Sequence, residues 1–200
     1  MSFKLGTVDG KAVLIKDDHY FDVASLSDGA ISSDSVEALK FQTELSELYE
    51  TLSEKNATGN LSEVELGNPV PKSPNCYAVG LNYRKHAEES GMDIPEVPMI
   101  FTKHTSCFVG PKANVEMRSD YVDWEVELVA VIGKEGKNIP KENALEHVAG
   151  LCVGQDISDR PAQFATTPAM FNLGKSFDTY GPMGPALVSL DLLELSLIHI

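Results

Sequence analysis

Three carboxylates stand at alternating positions in segment 123–132, which is otherwise apolar. In a β-strand, this spacing places Asp123, Glu125 and Glu127 on one face and Trp124 and the other apolar residues on the opposite face. Neighbouring acids would lie about 7 Å apart, and each ionised pair would cost roughly 2 kcal/mol at a dielectric constant of about 20. A bound cation would reverse the sign of that energy. The alternative is a solvated outer face of an antiparallel sheet.

A fourth carboxylate, Asp156, follows a mostly apolar run at positions 148–155. An acid at the end of a buried strand commonly lines a site, although Asp156 would equally suit the cap of the turn that follows. Carboxylate oxygens are hard ligands. A site made of Glu125, Glu127 and Asp156 would therefore suit Mg²⁺ or Mn²⁺ better than zinc, which prefers Cys and His.

His86 and Glu89 lie in segment 80–91, which is typical of a short helix that begins at Asn82 and ends at Gly91. Residues three apart share a helix face, so the carboxylate would orient the imidazole and favour its protonated form. Such a pair is a usual general base for water. The same spacing also occurs on ordinary surface helices with scattered charges.

Lys175 lies in a loop rich in Gly and Pro at positions 174–185. The sequence Gly174-Lys-Ser176 suggests a phosphate-binding loop, but that motif requires a glycine where Ala169 stands, which excludes it. Lys175 would still be able to direct its ammonium group at an anionic substrate. The alternative is a solvated loop lysine.

The elements that position these residues divide into two parts. Asp9-Gly10 separates two apolar runs and predicts an opening β-hairpin, and the capping pattern at Asp34 predicts one amphipathic helix after it. Three prolines in 67–74 mark a boundary. We therefore expect an α+β, mainly β protein, with a small N-terminal domain at 1–68 and a mainly β domain at 69–200.

Composition excludes several classes of function. The chain has 200 residues and a formal net charge of -14, which would repel nucleic acid. No apolar segment approaches the ~20 residues that span a bilayer, and the N-terminus lacks the apolar run of a secretory signal. Three cysteines without a Cys-x-x-Cys pair indicate neither a disulfide framework nor a zinc site. A cytoplasmic location is expected.

Several segments, taken in order, resemble the fumarylacetoacetate hydrolase family over roughly residues 70–190. The matching segments are Tyr77-Ala-Val-Gly-Leu-Asn-Tyr-Arg-Lys-His86, Phe101-Thr-Lys103, Val109-Gly-Pro111, Asp123-Trp-Glu-Val-Glu-Leu-Val-Ala-Val-Ile-Gly133, Asp156-Ile-Ser-Asp-Arg-Pro-Ala-Gln163 and Gly174-Lys-Ser-Phe-Asp-Thr-Tyr-Gly-Pro-Met-Gly-Pro185. Several ordered blocks of this length rarely agree by chance.

The resemblance implies a mixed β-roll or sandwich catalytic domain with a metal ion, Mg²⁺ first and Mn²⁺ or Ca²⁺ as alternatives. The acids that match the family's metal ligands are Glu125, Glu127 and Asp156. In the same pattern His86 is similar to the base, partnered by Glu89, and the residues that match the substrate and oxyanion pocket are Lys103, Arg160, Gln163 and Lys175. A homodimer is also implied.

The activity that the resemblance implies is metal-dependent hydrolysis of a carbon–carbon bond in 2,4-dioxo acids of the acylpyruvate or fumarylpyruvate type, through a metal-stabilised enolate. The same ligands would serve an oxaloacetate-type decarboxylase or a 2-hydroxy-dienoate isomerase. Family members continue beyond the segment that ends at Pro185, whereas the apolar tail after Leu192 does not resemble them. We therefore expect a chain truncated at its C-terminus, and a third alternative is an inactive metal-binding fragment.

Overall fold

The computed structural model describes residues 1–89, 91 and 93–193. The strands are β1 (Lys4–Val8), β2 (Lys11–Lys16), β3 (His19–Asp22), β4 (Gly59–Asn60), β5 (Tyr77–Gly80), β6 (Met99–Thr102), β7 (Phe108–Val109), β8 (Val122–Asp123), β9 (Val126–Ile132), β10 (Val148–Gln155), β11 (Ser158–Asp159) and β12 (Gly181–Val188). The α-helices are α1 (Val23–Leu26), α2 (Ser35–Ala38), α3 (Gln42–Thr51), α4 (Arg84–Glu89), α5 (Arg160–Gln163) and α6 (Phe171–Gly174). The architecture is mainly β with short helices, as the composition of the segments predicted.

One sheet of eight strands organises the molecule. Seven strands follow the order β4-β3-β2-β1-β12-β10-β9, and β7 joins β12 in a parallel pair. Two small ladders, β5 with β6 and β8 with β11, stand apart from this sheet. Among the described residues, no helix is long and apolar enough to cross a bilayer.

The opening hairpin is confirmed. β1 and β2 pair in antiparallel register around Asp9 and Gly10, whose φ angles of 50° and 74° are those that a tight two-residue turn requires. β1 then pairs with β12, so the first and last described strands are neighbours.

The predicted single helix after Asp34 is interrupted. The Asp34 side chain caps α2 by accepting from the backbone N–H groups of Val36 and Glu37, as the capping pattern predicted. A 3-10 turn at Leu39–Phe41 follows, and Phe41 leaves the helical region before α3 begins. Leu45 is fully buried in the core, so the apolar face was correctly predicted although the helix is not continuous.

The small N-terminal domain is not confirmed as a separate unit. The sheet crosses the predicted boundary at residue 68, because β1 pairs with β12. The large core crosses it as well: Phe3, Leu14 and Leu45 pack in the same cluster as Ala149 and Leu187. The division into 1–68 and 69–200 stays a prediction, and residues 194–200 of the predicted apolar tail lie outside the described residues.

The predicted strand at 123–132 is interrupted. β8 ends at Asp123 and β9 begins at Val126, with Trp124 and Glu125 between them. The alternative of a solvated outer face for these acids is wrong for Glu125 and Glu127, which are both partly buried. It is the apolar side that is exposed, since Trp124 and Val126 are 70% and 58% accessible to solvent.

Candidate functional site

The strand ladders bring the predicted acids together at one end of β9 and β10. Glu127 lies opposite Gly154 in the β9–β10 pair, and the backbone N–H of Asp156 donates to the carbonyl of Glu125 at 2.8 Å. The β8–β11 ladder places Asp123 opposite Ser158. Residues that are far apart in sequence therefore share one site because two pairs of strands lie in register.

Lys175 lies at the centre of this group, in contact with two of the acids. Its Nζ donates to Glu125 Oε2 at 2.7 Å, to Asp156 Oδ2 at 2.8 Å and to Ser158 Oγ at 2.8 Å. The side chain is buried, and the ring centroid of Phe101 lies 5.6 Å from the nitrogen. Lys175 is not a solvated loop lysine.

The position of Lys175 depends on the glycine before it. Gly174 ends α6 against α5, where a Cβ at this residue would lie 2.6 Å from the backbone nitrogen of Gln163. That distance is too short for any side chain, so only glycine allows the two helices to approach this closely. The close approach carries Lys175 to the acids.

A second buried lysine, Lys103, contributes to neutralising Asp156. Lys103 follows β6, and its backbone N–H donates to the carbonyl of Cys76 at 3.1 Å. Its Nζ donates to Asp156 Oδ1 at 2.8 Å and to the backbone carbonyl of Lys175. Lys103 was expected at the substrate, and in this structure its ammonium group binds protein oxygens.

Arg160 binds the acids from the other side. Its Nε and Nη2 donate to Asp123 Oδ2 at 3.1 and 2.6 Å, and Nη2 also donates to Glu125 Oε1 at 2.7 Å. Its Nη1 donates to Gln163 Oε1 at 2.8 Å. The hydrogen bond from Arg160 holds the pKa of Asp123 below its ordinary value, although partial burial opposes this.

Glu127 is half-buried, and the charges of the other acids affect its pKa. Burial raises its pKa first, and the charges of Asp156 and Glu125 raise it further, whereas Lys175 and His86 lower it. These mutual effects place the three predicted metal acids in one electrostatic cluster.

His86 and Glu89 are exposed on α4. The ion pairs of the described residues include neither of them. The helix lies within the predicted segment 80–91. The expected ion pair between the base and its carboxylate is not formed among the described residues. The roles of both residues stay predictions.

The donor chemistry of the acids fits a hard divalent cation. In the described ranges 1–89, 91 and 93–193, no three His, Cys, Asp or Glu side chains are arranged to hold a metal as they stand. Glu125 and Asp156 nevertheless each direct one oxygen at the same nitrogen, so these oxygens are close enough to share one positive charge. Oxygen ligands of this kind are those that Mg²⁺ and Mn²⁺ prefer.

Ser158 is the contact that the sequence reasoning missed. It is fully buried, and its hydroxyl donates to the Asp156 carbonyl at 2.9 Å while it accepts from Lys175. The available signal was its position two residues after Asp156, since residues two apart share a face of an extended chain.

Comparisons with known proteins agree with the expected resemblance. A family model described as fumarylacetoacetate (FAA) hydrolase C-terminal matches residues 75–197. Oxaloacetate tautomerase FAHD2A of Bos taurus, a protein named as mitochondrial, is 45% identical over 132 residues, which are 65% of this chain and 42% of the relative. The fumarylacetoacetate hydrolase domain-containing protein 2 homolog of Dictyostelium discoideum is 46% identical over 112 residues, 55% of this chain and 37% of that one.

Solved structures share the fold. A putative HpcE protein from Mycobacterium smegmatis has a TM-score of 0.86 and 40% identity, over 96% of this chain and 68% of that one. A maleylpyruvate hydrolase from Sphingobium sp. SYK-6, in complex with manganese (II) and pyruvate, has a TM-score of 0.77 at 22% identity, over 96% of this chain and 69% of that one, and so shows the fold alone.

The chain spans about two fifths of the length of the bovine relative. Since that relative is named as mitochondrial, the cytoplasmic location expected from the sequence is not confirmed.

Proposed function

Because the chain belongs to the fumarylacetoacetate hydrolase family, we propose that it carries the charged site of an enzyme that interconverts the keto and enol forms of an oxaloacetate-type 2-oxo acid. The observation that carries this proposal is the buried contact of Lys175 with both Glu125 and Asp156. The relatives named oxaloacetate tautomerases favour this substrate class over the 2,4-dioxo acids expected first.

Glu125, Glu127 and Asp156 would hold a divalent cation, with Mg²⁺ as the first candidate and Mn²⁺ or Ca²⁺ as alternatives. The site has four carboxylates, counting Asp123, and three cationic side chains, so one negative charge is in excess. A divalent ion would change this to one positive charge in excess, which suits an anionic substrate. The ion would supply Lewis-acid stabilisation of negative charge on the 2-oxo oxygen.

The remaining steps belong to the chain's own residues. In the keto form, a proton leaves C3 and a proton is added to the oxygen at C2, so the net change is the transfer of one proton. His86 would take the C3 proton, with Glu89 orienting the imidazole. Lys175, once the cation takes over its contacts with Glu125 and Asp156, would donate a hydrogen bond to the developing oxyanion. Gln163 and Lys103 would border the substrate.

The direct test is the rate at which the enol absorbance of oxaloacetate decays with the full chain and Mg²⁺. We expect Glu125→Gln to lower the catalysed rate by about 100-fold or more, because it removes both a cation ligand and the partner of Lys175. Lys72→Met, whose partner Asp34 lies elsewhere on the surface, is the matched control and should keep the wild-type rate. Wild-type rates in Glu125→Gln, or no catalysis by the wild-type chain, would reject the proposal.

Hydrolysis of 2,4-dioxo acids is the second candidate. It is supported by the charge of His86, which opposes the burial that raises the pKa of Glu127. Hydrolysis requires a base that activates water beside the charged group, and His86 is the candidate for it. Product analysis distinguishes the reactions. Hydrolysis yields two acids, decarboxylation releases carbon dioxide, and tautomerisation changes only the absorbance.

The third alternative, an inactive fragment that binds metal or nothing, predicts none of these products. Calorimetry with Mg²⁺ then separates a metal-binding fragment from one that binds no metal.

A further inference from the structure

Both side-chain oxygens of two predicted metal ligands, Asp156 and Glu125, accept from cationic side chains. Asp156 Oδ1 accepts from Lys103, and Glu125 Oε1 accepts from Arg160. The second oxygen of each acid, Asp156 Oδ2 and Glu125 Oε2, contacts Lys175 Nζ at 2.8 and 2.7 Å. The two oxygens that are not held by Lys103 or Arg160 therefore meet at one point, and a lysine nitrogen fills that point.

We propose that Lys175 is a resident competitor for the divalent cation: its ammonium group fills the place between Glu125 and Asp156 and leaves it when the ion binds. This inference rests on the proposed metal site. It assigns Lys103 and Arg160 a positioning role, because each holds one carboxylate oxygen and so directs the other at the shared place.

The surroundings of Lys175 allow the exchange. When the ion takes over the two carboxylate oxygens, the ammonium group still has Ser158 Oγ, at 2.8 Å, as a buried hydrogen-bond acceptor. The face of the Phe101 ring, 5.6 Å away, also stabilises a positive charge. The displaced ammonium then has donors to spare for an anionic substrate, so the same event that binds the ion frees Lys175 to contact the oxo acid.

The competitor lowers the apparent affinity for the ion. If the ammonium fills the place about 90% of the time, the measured affinity is about tenfold weaker than that of the acids alone. Removing the ammonium while keeping the length of the side chain should recover that factor. Lys175→Met does this, since methionine is similarly long and uncharged.

Titration calorimetry of the full chain with Mg²⁺, and separately with Mn²⁺, tests the exchange. We expect Lys175→Met to bind the ion about tenfold more tightly than the wild-type protein. The matched control is Lys103→Met, which removes the same charge from Asp156 but at the oxygen outside the shared place, and it should not tighten binding. If wild type and Lys175→Met both bind no metal, the metal site and the proposed function are wrong.

If the wild-type protein binds metal and Lys175→Met binds it no more tightly, or if both lysine variants tighten binding equally, the metal site stands and the exchange is wrong. A measurement on the wild-type protein avoids any dependence on the folding of a variant. In protein labelled with ¹⁵N-lysine, saturation with Mg²⁺ should shift the Lys175 Nζ resonance more than that of Lys103. An unmoved Lys175 resonance in metal-saturated protein would also overturn the exchange.

Discussion

An inner strand of the eight-stranded sheet, β2, and its edge strand β9 differ in how many of their faces are covered. At β2, Ala12 and Leu14 pack into the large core on one face, and Val13 and Ile15 pack into a second cluster on the other. All four residues are buried. Here the sheet is a middle layer, and both sides of the strand contribute to stability.

At β9, the part of the chain that the structure describes covers only one face of the sheet. Val129 and Val131 pack against the large core, and Glu127 continues their row towards the site. On the other face, Leu128 and Ile132 are 52% and 65% accessible. The candidate site is therefore the polar end of the core face, which explains why its acids are partly buried and strongly paired.

The largest expected effect tests this difference in coverage directly. Leu14→Ala should lower the free energy of unfolding by about 3 kcal/mol, because it leaves a cavity in the core. Leu128→Ala removes the same atoms from an exposed position and should change it by less than about 0.5 kcal/mol. Urea denaturation of both variants gives the two values.

A similar loss in Leu128→Ala would contradict the comparison and show that the outer face of β9 is covered in solution. The homodimer implied by the family resemblance is one such cover. In that case the loss would depend on protein concentration, since dissociation contributes to unfolding. A loss independent of concentration would exclude the dimer as the cover.

Sequence alternation predicted which residues of β9 share a face but not which face is inside. A period of two is symmetric, so only the elements packed on the strand decide this, and they are far away in sequence. The hairpin at Asp9-Gly10 and the cap at Asp34 were predictable because their causes lie within a few residues. The break at Phe41 was not, since the apolar spacing continues through it.

The site itself was predictable only through the resemblance. Lys103 and Asp156 are 53 residues apart, and Lys175 and Glu125 are 50 apart, so no local pattern connects them. The resemblance identified these residues but gave Lys103 and Arg160 to the substrate. Their observed partners include acids of the site, because charges that are wholly or partly buried require neutralisation before a substrate is present.

The second prediction concerns how closely α6 packs against α5 beside the candidate site. Gly174→Ala places a Cβ 2.6 Å from the Gln163 backbone, which has no freedom to move aside, and should lower stability by about 2 kcal/mol. Because α6 would shift, Lys175 should also lose its contacts, and binding of Mg²⁺ should change with it. Thermal denaturation and calorimetry measure the two effects.

The control for this substitution is Gly136→Ala, where the atoms nearest to the new Cβ belong to the side chains of Ile139 and His147 and not to the backbone. Ile139 is partly exposed, and side-chain ends yield more easily than a backbone nitrogen, so the loss should be clearly smaller. Equal losses in the two variants would mean that the approach of α6 to α5 is not as tight as the structure indicates.

The smallest expected effect lies on the helical side of β2, where Asp34 caps α2. Asp34→Ala should lower stability by about 1 kcal/mol at neutral pH through loss of the cap. The hydrogen bond from Lys72, and then those from the backbone N–H groups of Glu37 and Val36, hold the pKa of Asp34 below its ordinary value, although burial opposes them. Since the unfolded chain takes up the proton first, this stability is present above the ordinary value of 3.8 and is lost as the pH falls through the lower folded pKa. Denaturation of wild type and variant across this range should therefore show stability curves that converge in acid.

Lys72→Met separates the contribution of the cap from that of the ion pair. Because the Lys72 side chain is 75% exposed, its loss should leave the stability at neutral pH nearly unchanged. A loss equal to that of Asp34→Ala would show that the effect comes from the ion pair and not from the cap.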